Sequence, residues 1–124
     1  MSCIILVAEN EVVVRNMVRL LLERDGHEVL VAIDGHEALE LSRDYQGRID
    51  LLLTDVAMPG MDGRSLVAQL TKERPGIKIL IVSEKISASD LHEVRELPFL
   101  HKPFSPKEFR EKIRQVLNAP PMQN

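Results

Sequence analysis

A single cysteine, Cys3, is the whole thiol complement of this 124-residue chain. That excludes a disulfide framework and a cysteine-based zinc site. No apolar run approaches the roughly 20 residues of a membrane span, so no membrane association is expected. The opening Met-Ser-Cys-Ile-Ile-Leu has neither a basic segment nor a long apolar one, so no secretory signal is read and a cytoplasmic location is expected. An excess of positive charge is also lacking. Lys and Arg number 16 against 19 Asp and Glu, a net charge of −3. This argues against direct nucleic-acid binding, which needs a basic patch. Repeats, low-complexity tracts and Pro/Gly/Ser-rich linkers are absent, and so are Gly-x-Gly-x-x-Gly and P-loop signatures of nucleotide binding.

What remains is a globular composition, 44% hydrophobic and 28% charged. The length fits one domain able to bury a core without metal or disulfides. We expect that domain over residues 1–119, with a frayed tail over 120–124 after Ala119.

Short apolar runs alternate with amphipathic segments. Residues 3–8, 28–33, 49–54, 77–82 and 97–101 read as buried strands, too short for helices and mostly rich in branched side chains. Between them, 11–24, 35–45, 64–73 and 87–96 read as helices. Val14, Met17, Val18, Leu21 and Leu22 share one face of the first. A last helix opens at Ser105-Pro106-Lys107-Glu108, a capping box with proline in the first turn, and buries Phe109, Ile113, Val116 and Leu117. Such alternation predicts an α/β fold with a parallel sheet and helices on both faces. The functional crevice of that fold lies beyond the C-terminal strand ends.

Polar residues gather at those ends: Glu9-Asn10-Glu11, Thr54-Asp55, Ser83-Glu84 and His101-Lys102-Pro103. If strand one lies between strands two and three, they converge on one pocket. Two carboxylates about 4 Å apart repel by roughly 4 kcal/mol at an effective dielectric of 20. A divalent cation removes that repulsion, and hard oxygens suit Mg²⁺. A carboxylate beside Mg²⁺ and a lysine can attack a phosphoryl group, and a nearby hydroxyl can bond the product. Glu11 reads instead as a solvated first-turn acid favoured by the helix dipole. Cys3 reads as a small buried hydrophobe, and the four histidines show no metal spacing.

These residues resemble the receiver domain of two-component response regulators, over about residues 3–118. The likeness rests on Ile-Leu-Val-Ala-Glu-Asn-Glu, Leu-Leu-Leu-Thr-Asp-Val-Ala-Met-Pro-Gly-Met-Asp-Gly, Ile-Val-Ser and Phe-Leu-His-Lys-Pro-Phe. It implies a flavodoxin-like (βα)5 fold, a doubly wound five-stranded parallel sheet of order 2-1-3-4-5. It implies Asp55 as phosphoacceptor. Glu9 and Asn10 stand at the acidic pair that binds Mg²⁺, and Ala57 stands where a backbone carbonyl is a metal ligand. Ser83 matches the switch hydroxyl, Phe99 the switch aromatic, and Lys102 the site lysine, followed by Pro103 after a cis bond. The implied donor is a sensor histidine kinase or phosphotransfer protein. The implied output is a downstream protein, met by the face of the 87–96 helix, strand five and the last helix, and a homodimer is a further implied assembly. Such a domain is not an enzyme toward other substrates and catalyses only its own phosphorylation and dephosphorylation.

The sequence departs from the family pattern in three places. Asn10 stands at a usual Asp, Glu84 follows the switch serine where a small residue is usual, and the span from Ser83 to Lys102 is short. The first two motivate an alternative, a phosphorylation-independent interaction module. Glu84 could crowd the site, pair with Lys102 or supply the charge that Asn10 lacks. A metal-dependent phosphatase is disfavoured because Ala57 stands where such enzymes carry a second aspartate.

Overall fold

Strands buried on both faces read as continuous apolar runs, because successive side chains enter opposite layers. The computed structural model describes residues 2–84 and 97–120. Its strands are β1 (Ile4–Ala8), β2 (Glu28–Ala32), β3 (Leu51–Thr54), β4 (Lys78–Ser83) and β5 (Phe99–His101). Its helices are α1 (Val12–Arg24), α2 (Gly35–Asp44), α3 (Gly63–Glu73) and α4 (Pro106–Asn118). All strand pairs are parallel, in the order β2-β1-β3-β4-β5. This is the expected flavodoxin-like arrangement. The helix expected over 87–96 lies outside the described residues, as does the tail beyond residue 120.

The alternation divides the core in two. Leu6, Ala8, Leu52, Ile79 and Ile81 pack with Ala38 and Leu39 of α2 and Leu66 and Leu70 of α3. Ile5, Val7, Leu51, Leu53, Leu80 and Val82 pack with Val18 and Leu22 of α1 and Phe109, Ile113 and Val116 of α4. The expected inner faces of α1, α3 and α4 are thus found, with Val14, Met17, Val67 and Leu117 only partly buried. Among the described residues no helix is long and apolar enough to cross a membrane.

Helix starts follow local chemistry. The side chains of Asp34 and Asp62 accept from the N–H groups of Glu37 and Ser65, and Ser105 and Glu108 complete the expected capping box. Gly26, at φ +90°, turns the chain out of α1. Two strands open two residues later than expected. β3 opens at Leu51 because Asp50 is occupied as a bridge: its amide donates to Ile4 O and its carboxylate accepts from Ile4 N, both at 2.8 Å. β5 opens at Phe99 because Pro98 has no N–H; its carbonyl accepts from Ile81 N at 2.9 Å.

Candidate functional site

The register brings the predicted strand ends together. Ala8, Thr54 and Ile81 stand side by side across β1, β3 and β4, and Ser83 stands beside His101. The next residues, Glu9, Asp55 and Lys102, therefore leave the sheet at one edge. All three are buried, at 0%, 5% and 4% exposure. Backbone bonds extend the sheet by one step at each: Glu9 N donates to Ala32 O at 3.1 Å, Asp55 N to Ala8 O at 3.2 Å, and Lys102 N to Ser83 O at 2.9 Å.

Lys102 is the hub. Its Nζ lies 2.7 Å from Asp55 Oδ2, 2.8 Å from Glu9 Oε1 and 3.0 Å from Glu11 Oε1. Burial alone would favour the neutral amine, but the contacts with Asp55, Glu9 and Glu11 outweigh it and hold the ammonium above its ordinary pKa. Glu9 is the reverse case. Burial raises its carboxyl, and the Lys102 ammonium and the Glu11 amide offset this only in part. Its Oε2 accepts from Glu11 N at 3.1 Å, while Oε1, close to the ammonium, receives no aligned hydrogen bond. The backbone here is clamped by Arg15, whose Nη1 donates to Glu9 O at 2.9 Å.

Asp55 is held in one orientation. Oδ1 accepts from Ala57 N at 3.0 Å and Oδ2 accepts from Lys102. Thr54 Oγ1 donates to Asp55 O at 2.9 Å. Beneath it, Gly63 begins α3 with its N–H on Val56 O at 2.9 Å. A Cβ on Gly63 would stand 2.1 Å from Asp55 O, so only glycine lets this helix approach so closely.

The other expected residues are placed as follows. Ser83 ends β4 and is buried. Ala57 is exposed beside Asp55. Phe99 is half-buried, packs against the α2–α3 side of the core and meets His101 edge-on at 6.2 Å. Asn10 is exposed and its side chain makes no hydrogen bond among the described residues. The Lys102–Pro103 bond is cis. Glu84 is exposed and pairs with no described residue, Lys102 included. Cys3 is only half-buried, with its N–H on His27 Nδ1 at 3.1 Å.

Glu11 was not expected here. Oxygens of Glu9, Glu11 and Asp55 all lie within 4.8 Å of one another, close enough to hold one metal ion. An acid just after a strand reads the same from sequence whether it faces water or a lysine 91 positions away. The one signal was the neutral Asn10 between two glutamates. Hard oxygen donors, together with a buried carboxylate oxygen that receives no aligned hydrogen bond, fit a hard divalent cation.

Comparison with known proteins supplies the context. The model of the response regulator receiver domain matches residues 5–114. The chain is 36% identical over 119 residues to the sensor kinase CckA of Brucella abortus (strain 2308), covering 94% of this chain and 13% of the kinase. It is 34% identical over 118 residues to the DNA-binding transcriptional regulator NtrC of Azospirillum brasilense, covering 93% of this chain and 24% of the regulator. The chain thus spans only a small part of these relatives. Among solved structures, the receiver domain of the hybrid histidine kinase CckA superposes with a TM-score of 0.78 at 36% identity, over 93% of this chain and 99% of that one. A CheY-like receiver protein from Methanospirillum hungatei JF-1 gives 0.85 at 26% identity, over 95% of each chain.

Proposed function

The chain belongs to the response regulator receiver domain family, and on that premise we propose that Asp55 accepts a phosphoryl group from the phosphohistidine of a sensor kinase or phosphotransfer protein. One observation carries the reading: a buried aspartate at a strand end with one oxygen on an amide and the other 2.7 Å from a buried ammonium. The Ala57 amide and Lys102 orient the carboxylate so that an oxygen faces the incoming phosphorus. A P–O bond forms to Asp55 as the P–N bond of the donor breaks, and the electron pair returns to the donor imidazole. Lys102 then pairs with a phosphoryl oxygen, and the Ser83 hydroxyl bonds another. Asp55 and Glu9, with the Asn10 amide oxygen and the Ala57 carbonyl, are the groups that would hold Mg²⁺. Mg²⁺ bound there would neutralise charge on the transferring phosphoryl oxygens.

The output reading follows from the same elements. Ser83 on β4 and Phe99 on β5 would move together once a phosphoryl group draws the hydroxyl inward. That would remodel the face that includes β5 and α4, which we assign to a downstream protein or a second copy of the chain. In this reading the domain, over residues 1–119, turns over no external substrate and acts only on its own acyl phosphate.

Intact mass after incubation with acetyl phosphate, with and without Mg²⁺, tests this on the wild type and on Asp55→Ala. We expect one phosphate adduct that needs Mg²⁺ and disappears in the variant. No adduct on folded protein with Mg²⁺ in excess would overturn the reading in favour of phosphorylation-independent binding.

A further inference from the structure

We infer that Glu11 is a charged ligand of the cation site and supplies the negative charge that Asn10 does not. The inference rests on the cation-dependent reading of the same site.

Charge is the first argument. Glu9, Glu11 and Asp55 surround one ammonium at 2.7–3.0 Å. With all groups ionised, three carboxylates against one ammonium leave two negative charges, and a divalent cation cancels both. Without Glu11 only one would remain, and a dication would overshoot. In a partly desolvated cluster such an imbalance is expensive. The Asn10 amide can offer an oxygen but no charge. Glu84, the other candidate for the missing charge, is exposed and makes no ion pair with a described residue.

The second argument is the use of each oxygen. Glu9 is fully buried, and its Oε1 receives no aligned hydrogen bond although it is aimed into the cluster. The Lys102 ammonium lies 2.8 Å from it but out of line for a hydrogen bond. A buried acceptor without an aligned donor is costly, and a metal ion satisfies it without needing a donor.

The third argument is local. Glu11 is the N-cap residue of α1, with φ −83° and ψ 116°, yet its side chain accepts no hydrogen bond from the helix. The carboxylate reaches Lys102 instead, at 3.0 Å. Glutamate is not among the preferred N-cap residues, so helix capping does not account for it at this position. Its side chain is 47% exposed, so it can turn from ammonium to cation without stranding a buried charge. The clamp of Arg15 on Glu9 O fixes the turn that holds both glutamates over the site.

Titration calorimetry with MgCl₂ on the unphosphorylated protein tests this without any activity readout. We expect Glu11→Gln to weaken Mg²⁺ binding by roughly tenfold or more, a loss of the size that charge count and supporting groups produce at such sites. Asn10→Ala should weaken it less, and Glu11→Asp should recover part of the loss. Equal affinity in Glu11→Gln and wild type would overturn the role of Glu11 alone. So would a larger loss in Asn10→Ala than in Glu11→Gln. Wild-type protein that binds no Mg²⁺ would instead overturn the cation-dependent reading beneath it.

Discussion

At the scale of single residues, Gly63 carries as much of the site as the charged groups do. A methyl group there would stand 2.1 Å from Asp55 O and 2.8 Å from Val56 Cα. Both neighbours are backbone and cannot swing aside. Gly63→Ala should therefore cost about 1–3 kcal/mol of stability by overpacking and shift Asp55 away from Lys102. Urea unfolding together with acetyl-phosphate labelling checks both halves. A stable, fully labelled variant would show that α3 can retreat without moving the aspartate. The sequence made Glu9, Asp55, Ser83 and Lys102 visible because each closes an apolar run. Glu11 was hidden because its partner lies 91 residues away, and no local pattern records a contact of that span.

At the scale of elements, α2, α3 and the loop between α2 and β3 are tied by one side chain. Arg74, just past α3, donates to Ser42 Oγ, Ser42 O and Tyr45 O at 2.7 Å and to Gly47 O at 2.9 Å. Lysine keeps the charge but lacks the planar fork. Arg74→Lys should lose about 1.5–3 kcal/mol, the worth of one or two charge-assisted bonds, and should loosen residues 45–49 first. Hydrogen exchange resolved by residue would locate the loss, and uniform loosening across the sheet would contradict this account. Element types were readable because periods of 2 and 3.6 differ over even short runs. The helix start at the Ser105 cap was readable to the residue, whereas α3 starts at Gly63, one residue before the expected 64. The openings of β3 and β5 were not, because they depend on how Asp50 and Pro98 meet neighbouring strands.

At the scale of the whole molecule, acid is the weak side. His27 accepts the Cys3 N–H on Nδ1, a bond only the neutral ring makes, and burial lowers its pKa from the ordinary 6.5. The unfolded chain then binds the proton more readily. The contribution of His27 is complete above about pH 6.5 and is lost as pH falls through the lowered folded value. Glu73, paired with Arg43 and Gln69, is lowered from 4.5 to about 2, so its contribution is complete above 4.5 and lost as pH falls toward 2. Glu9 runs the other way, since its raised carboxyl favours the folded state as pH falls. The urea midpoint should fall between about pH 7.5 and 5.5, and the fall should be smaller in His27→Gln. An equal fall in both proteins would remove His27 from the account.

The position of Lys102 along the chain has one more consequence, for synthesis rather than for the finished protein. Glu9, Glu11 and Asp55 leave the ribosome well before Lys102, the ammonium that pairs with all three. Until Lys102 emerges, docking β1 beside β3 gathers like charges with nothing between them. The early strands are thereby discouraged from settling before β5 arrives, and the same repulsion would act on any fragment that ends short of residue 102.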